Sequence, residues 1–201
     1  INRNAKIRQI ENILYQRLDQ HTRELLENIG KTGQDLGLDL YVVGGFVRDL
    51  LLNRPIEDID IVVEGDGIEF AKAYAKKEGC RVNTHKKFGT AVIIYPDNFK
   101  IDVASARLEY YKTPAALPIV ENSSIKLDLA RRDFTINSLA ISINPETFGT
   151  MIDYFGANRD LKDKTKGRPS KKAQETSCKA LRQKDLGVFK ERQEIEWKVI
   201  V

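Results

Sequence analysis

Asp58 and Asp60 lie one residue apart in Asp58-Ile59-Asp60-Ile61-Val62-Val63, where acidic and apolar residues alternate. A period of two belongs to a β-strand, so both carboxylates share one face while Ile59 and Ile61 take the other. Two such charges, about 7 Å apart at a rise of about 3.3 Å per residue, repel each other unless a cation lies between them. Hard carboxylate oxygens suit Mg2+, held at about 2.0–2.1 Å. Two ions about 3.5–4 Å apart would serve the attacking and leaving oxygens of a phosphoryl displacement. Upstream, the apolar run Leu40-Tyr41-Val42-Val43 stops at Gly44-Gly45, and from Phe46 the spacing Phe46, Val47, Leu50, Leu51 is helical. A strand, a bare backbone and a helix N-terminus in succession offer free N–H groups and a positive dipole end to an anion. Arg48, in the first turn, adds a planar guanidinium fork that matches phosphate oxygens. The chemistry indicated is metal-assisted handling of a polyphosphate.

The elements around these residues must hold the glycine turn and the acids together. The turn Asn53-Arg54-Pro55 returns the chain from the helix into the acidic strand. A surface helix is expected over residues 67–78, stopped by Gly79. Residues 81–84, 91–95 and 100–104 read as strands, and the short turns between them imply antiparallel pairing. In the last of these Asp102 alternates against Ile101 and Val103; it meets Asp58 and Asp60 if the strands are neighbours, and is an ordinary exposed residue if they are not. Residues 108–122 hold two prolines and no periodicity, the pattern of a mobile loop and a candidate lid. Ser123 or Ser124 can cap a helix running through Ile125, Leu127 and Leu129 into Arg131-Arg132-Asp133-Phe134. Arg131, Asp133 and Asn137 then gather a cation, an acid and an amide near one edge, although a salt-bridged helix would look the same. Strands at 138–143 and 151–155 and a short helix at 156–164 follow. At the start, Ile7, Ile10, Ile13, Leu14 and Leu18, then Leu25, Leu26 and Ile29, read as two helices ending at Gly37. They are either packing helices or a linker from a preceding domain.

The 201 residues, 41% hydrophobic and 31% charged, suit a soluble cytoplasmic protein. No apolar run approaches the roughly 18 residues of a membrane span, and no signal peptide is evident. Cys80 and Cys178, with only His21 and His85 to help, fit neither a zinc site nor a disulfide framework and read as reduced thiols. Residues 1–165 carry 23 Lys and Arg against 24 Asp and Glu, and residues 166–201 carry 10 against 5. The basic excess therefore belongs to the tail, and nucleic-acid contact by the head must rest on local clusters. That tail is either a poorly packed end or a nucleic-acid arm. The first residue is Ile1, consistent with a fragment.

Strand, Gly44-Gly45, helix with Arg48, and returning strand with Asp58-x-Asp60 resemble the signature of the tRNA nucleotidyltransferase and bacterial poly(A) polymerase family. Arg131-Arg132-Asp133-Phe134-Thr135-Ile136-Asn137 resembles the second signature of the same family, in the same order and at a similar separation. Glu64-Gly-Asp-Gly-Ile68, Lys87-Phe-Gly-Thr90 and residues 109–118 also resemble its head domain, so the likeness covers roughly residues 25–164. It implies an α+β fold, a small mostly antiparallel or mixed sheet backed by helices, with an irregular basic C-terminal tail. The division expected is N-terminal helices over 1–37, a nucleotidyltransferase head over 38–165 and a basic tail over 166–201. By the same likeness Asp58 and Asp60 are metal ligands, with Asp102 as a third acid of a catalytic set. Gly44, Gly45 and Arg48 contact the triphosphate, and Arg131, Arg132, Asp133 and Asn137 contact the nucleotide. The implied activity is metal-dependent transfer from ATP or CTP to the 3′ end of tRNA, releasing pyrophosphate, with Mg2+ at a two-ion site. A poly(A) polymerase or a truncated nucleotide-binding head without turnover are the alternatives. The likeness stops after Thr165: the Asp and Arg pair by which the family's neck reads the base is not matched in 166–175. The oligomeric state is left open.

Overall fold

The computed structural model describes residues 6–110 and 119–163. In chain order the elements are β1 (Lys6–Gln9), α1 (Glu11–Arg17), α2 (Gln20–Asp35), β2 (Asp39–Val43), α3 (Gly45–Leu52), β3 (Asp60–Glu64), α4 (Gly67–Glu78), β4 (Arg81–His85), β5 (Thr90–Ile94) and β6 (Lys100–Ser105). Then come β7 (Arg107–Tyr110), β8 (Ile119–Asn122), α5 (Ile125–Ala130), β9 (Leu139–Ser142), β10 (Thr150–Asp153) and α6 (Ala157–Lys162). Eight strands form one mixed sheet in the order β1-β10-β9-β2-β3-β6-β5-β4, and β7 pairs with β8 apart from it. Every neighbouring pair of the large sheet is antiparallel except β3 and β6. A parallel pair needs a long crossover, supplied here by α4 and the β4–β5 hairpin.

One sheet face is the core. Leu40, Val42, Ile61, Val63, Ile93, Ile101, Val103, Leu139 and Ile141 are buried there beneath Leu26 and Ile29 of α2, Phe46 and Leu50 of α3, and Phe70 and Tyr74 of α4. Alternation puts the other residues of these strands on the opposite face. There Val43, Val62 and Ala140 form a smaller cluster with Ile125 and Leu129 of α5. The second face is thus covered by α5 only over its middle strands, and Asp60 and Asp102 lie just beyond the covered part.

Three polar devices fix the approach of the helices. Gly30 lets α2 lie against the β9–β10 turn, since a Cβ there would come within 1.7 Å of the Ile143 carbonyl oxygen. Arg17 donates to the carbonyls of Leu50 (2.7 Å) and Leu51 (2.9 Å), satisfying the C-terminal end of α3. Asn144 accepts from the Leu40 N–H (2.7 Å) and donates to the Leu38 carbonyl (2.8 Å), closing the ladder at the start of β2.

Several expectations are corrected. The first helix does not begin at Ile7: Lys6–Gln9 is an edge strand paired with β10, and helix starts at Glu11. Isoleucines at 7, 10 and 13 suit a helix locally, but the open edge of β10 offers four residues of backbone pairing to the first of them. Residues 108–122 are not wholly irregular, because β7 and β8 pair from Arg107 with Asn122 to Tyr110 with Ile119; the intervening 111–118 lie outside the described residues. The tail 166–201 also lies outside them. The mostly antiparallel or mixed sheet is as expected, with β4, β5 and β6 antiparallel and one parallel pair between β3 and β6. No helix among the described residues is long and apolar enough to cross a membrane.

Candidate active site

The acidic residues meet because β3 and β6 run parallel in register. Asp60 pairs with Asp102, Val62 with Ala104, and both carboxylates emerge on the face away from the core. Asp58 precedes β3, which starts at Asp60, so the two aspartates do not lie on one strand as expected. It is exposed, while Ile59 between them is buried and anchors the approach. Burial pushes the Asp60 carboxyl above the usual carboxylate range, the Asp102 charge pushes it the same way, Arg132 pulls it back, and Asp58 pushes it up again. All three acids and one arginine therefore share an electrostatic neighbourhood. Among the described residues no three His, Cys, Asp or Glu side chains are drawn into a closed metal cage. The mutual repulsion is nevertheless the condition that a divalent cation relieves, and hard oxygens are the donors magnesium prefers.

β2 lies on the other side of β3 and ends at Gly44-Gly45. Gly44 has φ 67° and ψ −126°, a conformation open to glycine and costly to other residues. It turns the chain directly from strand into α3, so the first N–H groups of that helix have no intrahelical carbonyl partners. A Cβ on Gly44 would come within 2.9 Å of Arg132 Nη1, which places that guanidinium over the turn. A Cβ on Gly45 would lie 3.6 Å from Arg48 Nη2. Two guanidiniums thus border a bare backbone at a helix N-terminus, the features that hold polyphosphates elsewhere.

The arginines are not equally available. Arg48 is gripped on one edge by Asp49, Nε to Oδ1 at 3.0 Å and Nη2 to Oδ2 at 2.7 Å, and its Nη1 donates to Asn137 Oδ1 at 3.0 Å. The expected free fork onto phosphate is occupied, so Arg48 can offer an anion only its remaining N–H bonds. Arg131 and Arg132 both point to Asp128, whose side chain is 0% exposed: Arg131 Nη2 at 2.7 Å and Nε at 3.0 Å, Arg132 Nη2 at 3.3 Å. Arg132 Nε is buried with no hydrogen-bond partner. Arg132 Nη1, the atom that lies over Gly44, is the one placed to meet an incoming anion.

The second motif is not helical. α5 ends at Ala130, and Asn137 closes a 3-10 turn over Thr135–Asn137. Thr135 donates to Asp160 Oδ2 of α6 at 2.7 Å. Asp153 in turn accepts from the backbone N–H groups of Phe155, Gly156, Ala157 and Asn158, anchoring the start of α6. The N-terminus of α5 is held by Glu64, at the end of β3, which accepts from the Ile125 N–H; the Ser124 side chain makes no cap bond. Gly44, Gly45, Arg48, Arg132 and Asn137 are therefore brought together, with Arg132, Asp102 and Asp58 all acting on Asp60. Arg131 serves Asp128, and Asp133 is exposed and makes none of these contacts. Asp49, Asp128, Asp153 and Asp160 went unnoticed in the sequence, although Asp128 stands at helical spacing from Arg131 and Arg132 and could have been paired with them.

Comparison with known proteins shows the family of the chain. Residues 40–165 match the family model described as the Poly A polymerase head domain. The chain is 59% identical over 158 residues to an A-adding tRNA nucleotidyltransferase of Geobacter sulfurreducens, covering 79% of this chain and 18% of that protein. A solved CCA-adding enzyme in its apo form superposes with TM-score 0.74 and 49% identity, over 78% of this chain and 37% of the other. A Thermotoga maritima CCA-adding enzyme complexed with tRNA gives TM-score 0.68 and 43% identity, over 78% and 34%. The chain spans less than a fifth of the first relative and little more than a third of the solved enzymes.

Proposed function

Starting from the premise that this chain belongs to the Poly A polymerase head-domain family, we propose that it is the catalytic head of an enzyme that adds nucleotides to the 3′ end of tRNA. The observation that carries the reading is the in-register pairing of Asp60 with Asp102 beside the Gly44 turn and Arg132. Asp58 and Asp60, with Asp102, would hold magnesium, two ions in the full complex. Bound there, the metal would neutralise developing charge and lower the pKa of the attacking hydroxyl.

The protein's own groups account for the rest. The backbone N–H groups following Gly44 bind the β- and γ-phosphates of ATP or CTP without reorganising, because the turn is fixed before the ligand arrives. Arg132, held in place by Asp128, presents Nη1 over the Gly44 turn and stabilises charge on the departing pyrophosphate. Arg48, held by Asp49 and Asn137, sets the position of the first turn of α3 and adds positive potential. The triphosphate on the β2 side of β3 leaves the side of Asp102 for the 3′-hydroxyl of the RNA. The products are RNA longer by one nucleotide and pyrophosphate. Incorporation of labelled AMP into tRNA lacking its terminal adenosine tests the reading: Asp58→Ala, an exposed substitution, should abolish it. Full activity in that variant would overturn the assignment. Equal extension of a generic RNA would move the reading to a poly(A) polymerase.

A further inference from the structure

Beyond the acids, the sheet continues with no helix over it among the described residues. In register from Asp60 run Asp102, Val92 of β5 and Asn83 of β4. The next row is Val62, Ala104, Thr90 and His85, and on the other side of Asp102 lies the row Lys100, Ile94 and Arg81. Ala104, Thr90, Val92 and Ile94 are half-buried, while Lys100, Arg81, Asn83 and His85 are exposed. α4 packs on the opposite face of these same strands, where Ala91, Ile93, Ile101 and Val103 are buried. Asp60 and Asp102 sit at one margin of this open face, and its cations, Arg81 and Lys100, lie further out. Neither Arg81 nor Lys100 has an ion pair among the described residues.

The order of strands gives this face a direction. Triphosphate groups belong at Gly44, at the end of β2, and the strands follow as β2, β3, β6, β5, β4. In an in-line displacement the leaving pyrophosphate and the attacking oxygen lie on opposite sides of the phosphorus. With the leaving group toward β2, the attacking hydroxyl comes from the Asp102 side, and the chain that carries it extends over β5 and β4. Those strands lie about 5 and about 10 Å from β6 at the usual inter-strand spacing. Half-buried β-branched side chains offer a surface for a nucleoside, and Arg81 and Lys100 offer charges to its phosphodiesters.

We propose that the open face of β4, β5 and β6 is the platform for the last nucleotides of the acceptor RNA strand, with Arg81 and Lys100 as its phosphate contacts. This rests on the function proposed above and extends it from the reacting atoms to the path of the RNA. The occupant is a single-stranded RNA end, since only its phosphodiesters match both the uncommitted cations and the continuity with the hydroxyl site.

The test measures the affinity of the full chain for tRNA lacking its terminal adenosine, across a series of salt concentrations, in wild type and in the double variant R81E/K100E. Magnesium-ATP affinity is measured in parallel. The double variant should bind the RNA at least about tenfold more weakly, and the slope of log affinity against log salt should fall by about 1.4 for two lost phosphate contacts. ATP affinity should be unchanged. Photocrosslinks from 4-thiouridine next to the RNA 3′ end should map to residues 81–94. A wild-type chain that neither binds nor extends tRNA sinks the function proposed above. A wild-type chain that does both, with R81E/K100E binding RNA as tightly, sinks the platform alone. Crosslinks confined to the α3 side of the sheet, or to residues 111–118 or 164–201, also refute it, the latter because a segment of the chain itself would then cover the face.

Discussion

Replacing Asp128 by Asn should damage both the stability and the ligand affinity of the head. The Asp128 side chain is fully buried and takes both arginines of the second motif, whose side chains keep 26% and 21% exposure. Removing one charge from a buried ion group typically costs 3–5 kcal/mol, because its partners are left uncompensated. The arginines here retain access to water, so screening reduces that range, and about 2–3 kcal/mol is expected. Asn keeps the shape and one acceptor oxygen, so the loss is of charge rather than of packing. The second effect follows from position: Arg132 lies over Gly44 only while Asp128 holds its far side. One charged hydrogen bond to phosphate contributes about 1.5–3 kcal/mol, so its misplacement should weaken magnesium-ATP binding by about tenfold or more. Urea unfolding gives the first quantity and nucleotide titration the second. Asp133→Asn, an exposed neighbour, serves as the control and should stay within about 0.5 kcal/mol of wild type. A D128N protein as stable as that control, with ATP affinity within about twofold of wild type, would refute the anchoring role.

Gly30→Ala places a Cβ 1.7 Å from the Ile143 carbonyl oxygen, and the forced separation of α2 from the sheet should cost about 3 kcal/mol; an unchanged Tm would contradict that close approach. Asp153→Asn weakens the cap that accepts four backbone N–H groups, with a loss of about 1–2 kcal/mol and faster amide exchange through α6 and the turn at Thr135–Asn137. Protection in that turn equal to wild type would show that α6 does not support Asn137. Asp60→Asn should raise the stability of the nucleotide-free protein at neutral pH and abolish transfer. A carboxyl whose folded pKa is raised gives stability below its unfolded value and loses it as pH rises through the folded value, so the advantage of Asn should fade as pH drops toward about 4. A difference that does not vary with pH would mean that Asp60 is not held under repulsion.

The local parts of this site were legible in the sequence because each depends on neighbours in the chain. Gly44-Gly45 had to turn, and the structure uses the positive φ at Gly44. Ile59 had to be buried, and it carries Asp58 and Asp60 outward on either side. Asp102 was different: its alternation showed only that it faced away from Ile101 and Val103, and its value came from a neighbour across a parallel pair. A slip of one residue in that register would turn Asp102 into the core, and no local pattern specifies the register between strands separated by a helix and a hairpin. The stretch Lys6–Gln9 failed for a related reason, since its spacing fits a helix and only the distant edge of β10 makes it a strand. Asp128, Asp153 and Asp160 were missed because a buried carboxylate has the same letter as an exposed one. What distinguishes it is the partner it finds, such as Thr135 for Asp160 across 25 residues.

The unfavourable features of the head converge on one place. Gly44 occupies a conformation closed to most residues, Arg132 keeps a buried N–H without an acceptor, and Asp60 carries a charge that burial and Asp102 oppose. Each is held by something stronger nearby. The Gly44 turn is clamped between β2 and α3, Arg132 is tied to Asp128, and Asp60 is fixed by four residues of pairing with β6. A ligand that supplied anionic oxygens over Gly44 and a cation between the acids would meet Arg132 Nη1 and relieve the repulsion in one binding event. It would do so without demanding new order from the backbone. Under the function proposed above, strain placed where a charge of known sign arrives would favour a metal-bound polyphosphate over either component alone. The cations and anions of the site therefore lie side by side without neutralising one another fully: Arg132 lowers the pKa of Asp60 without cancelling the effects of burial and Asp102.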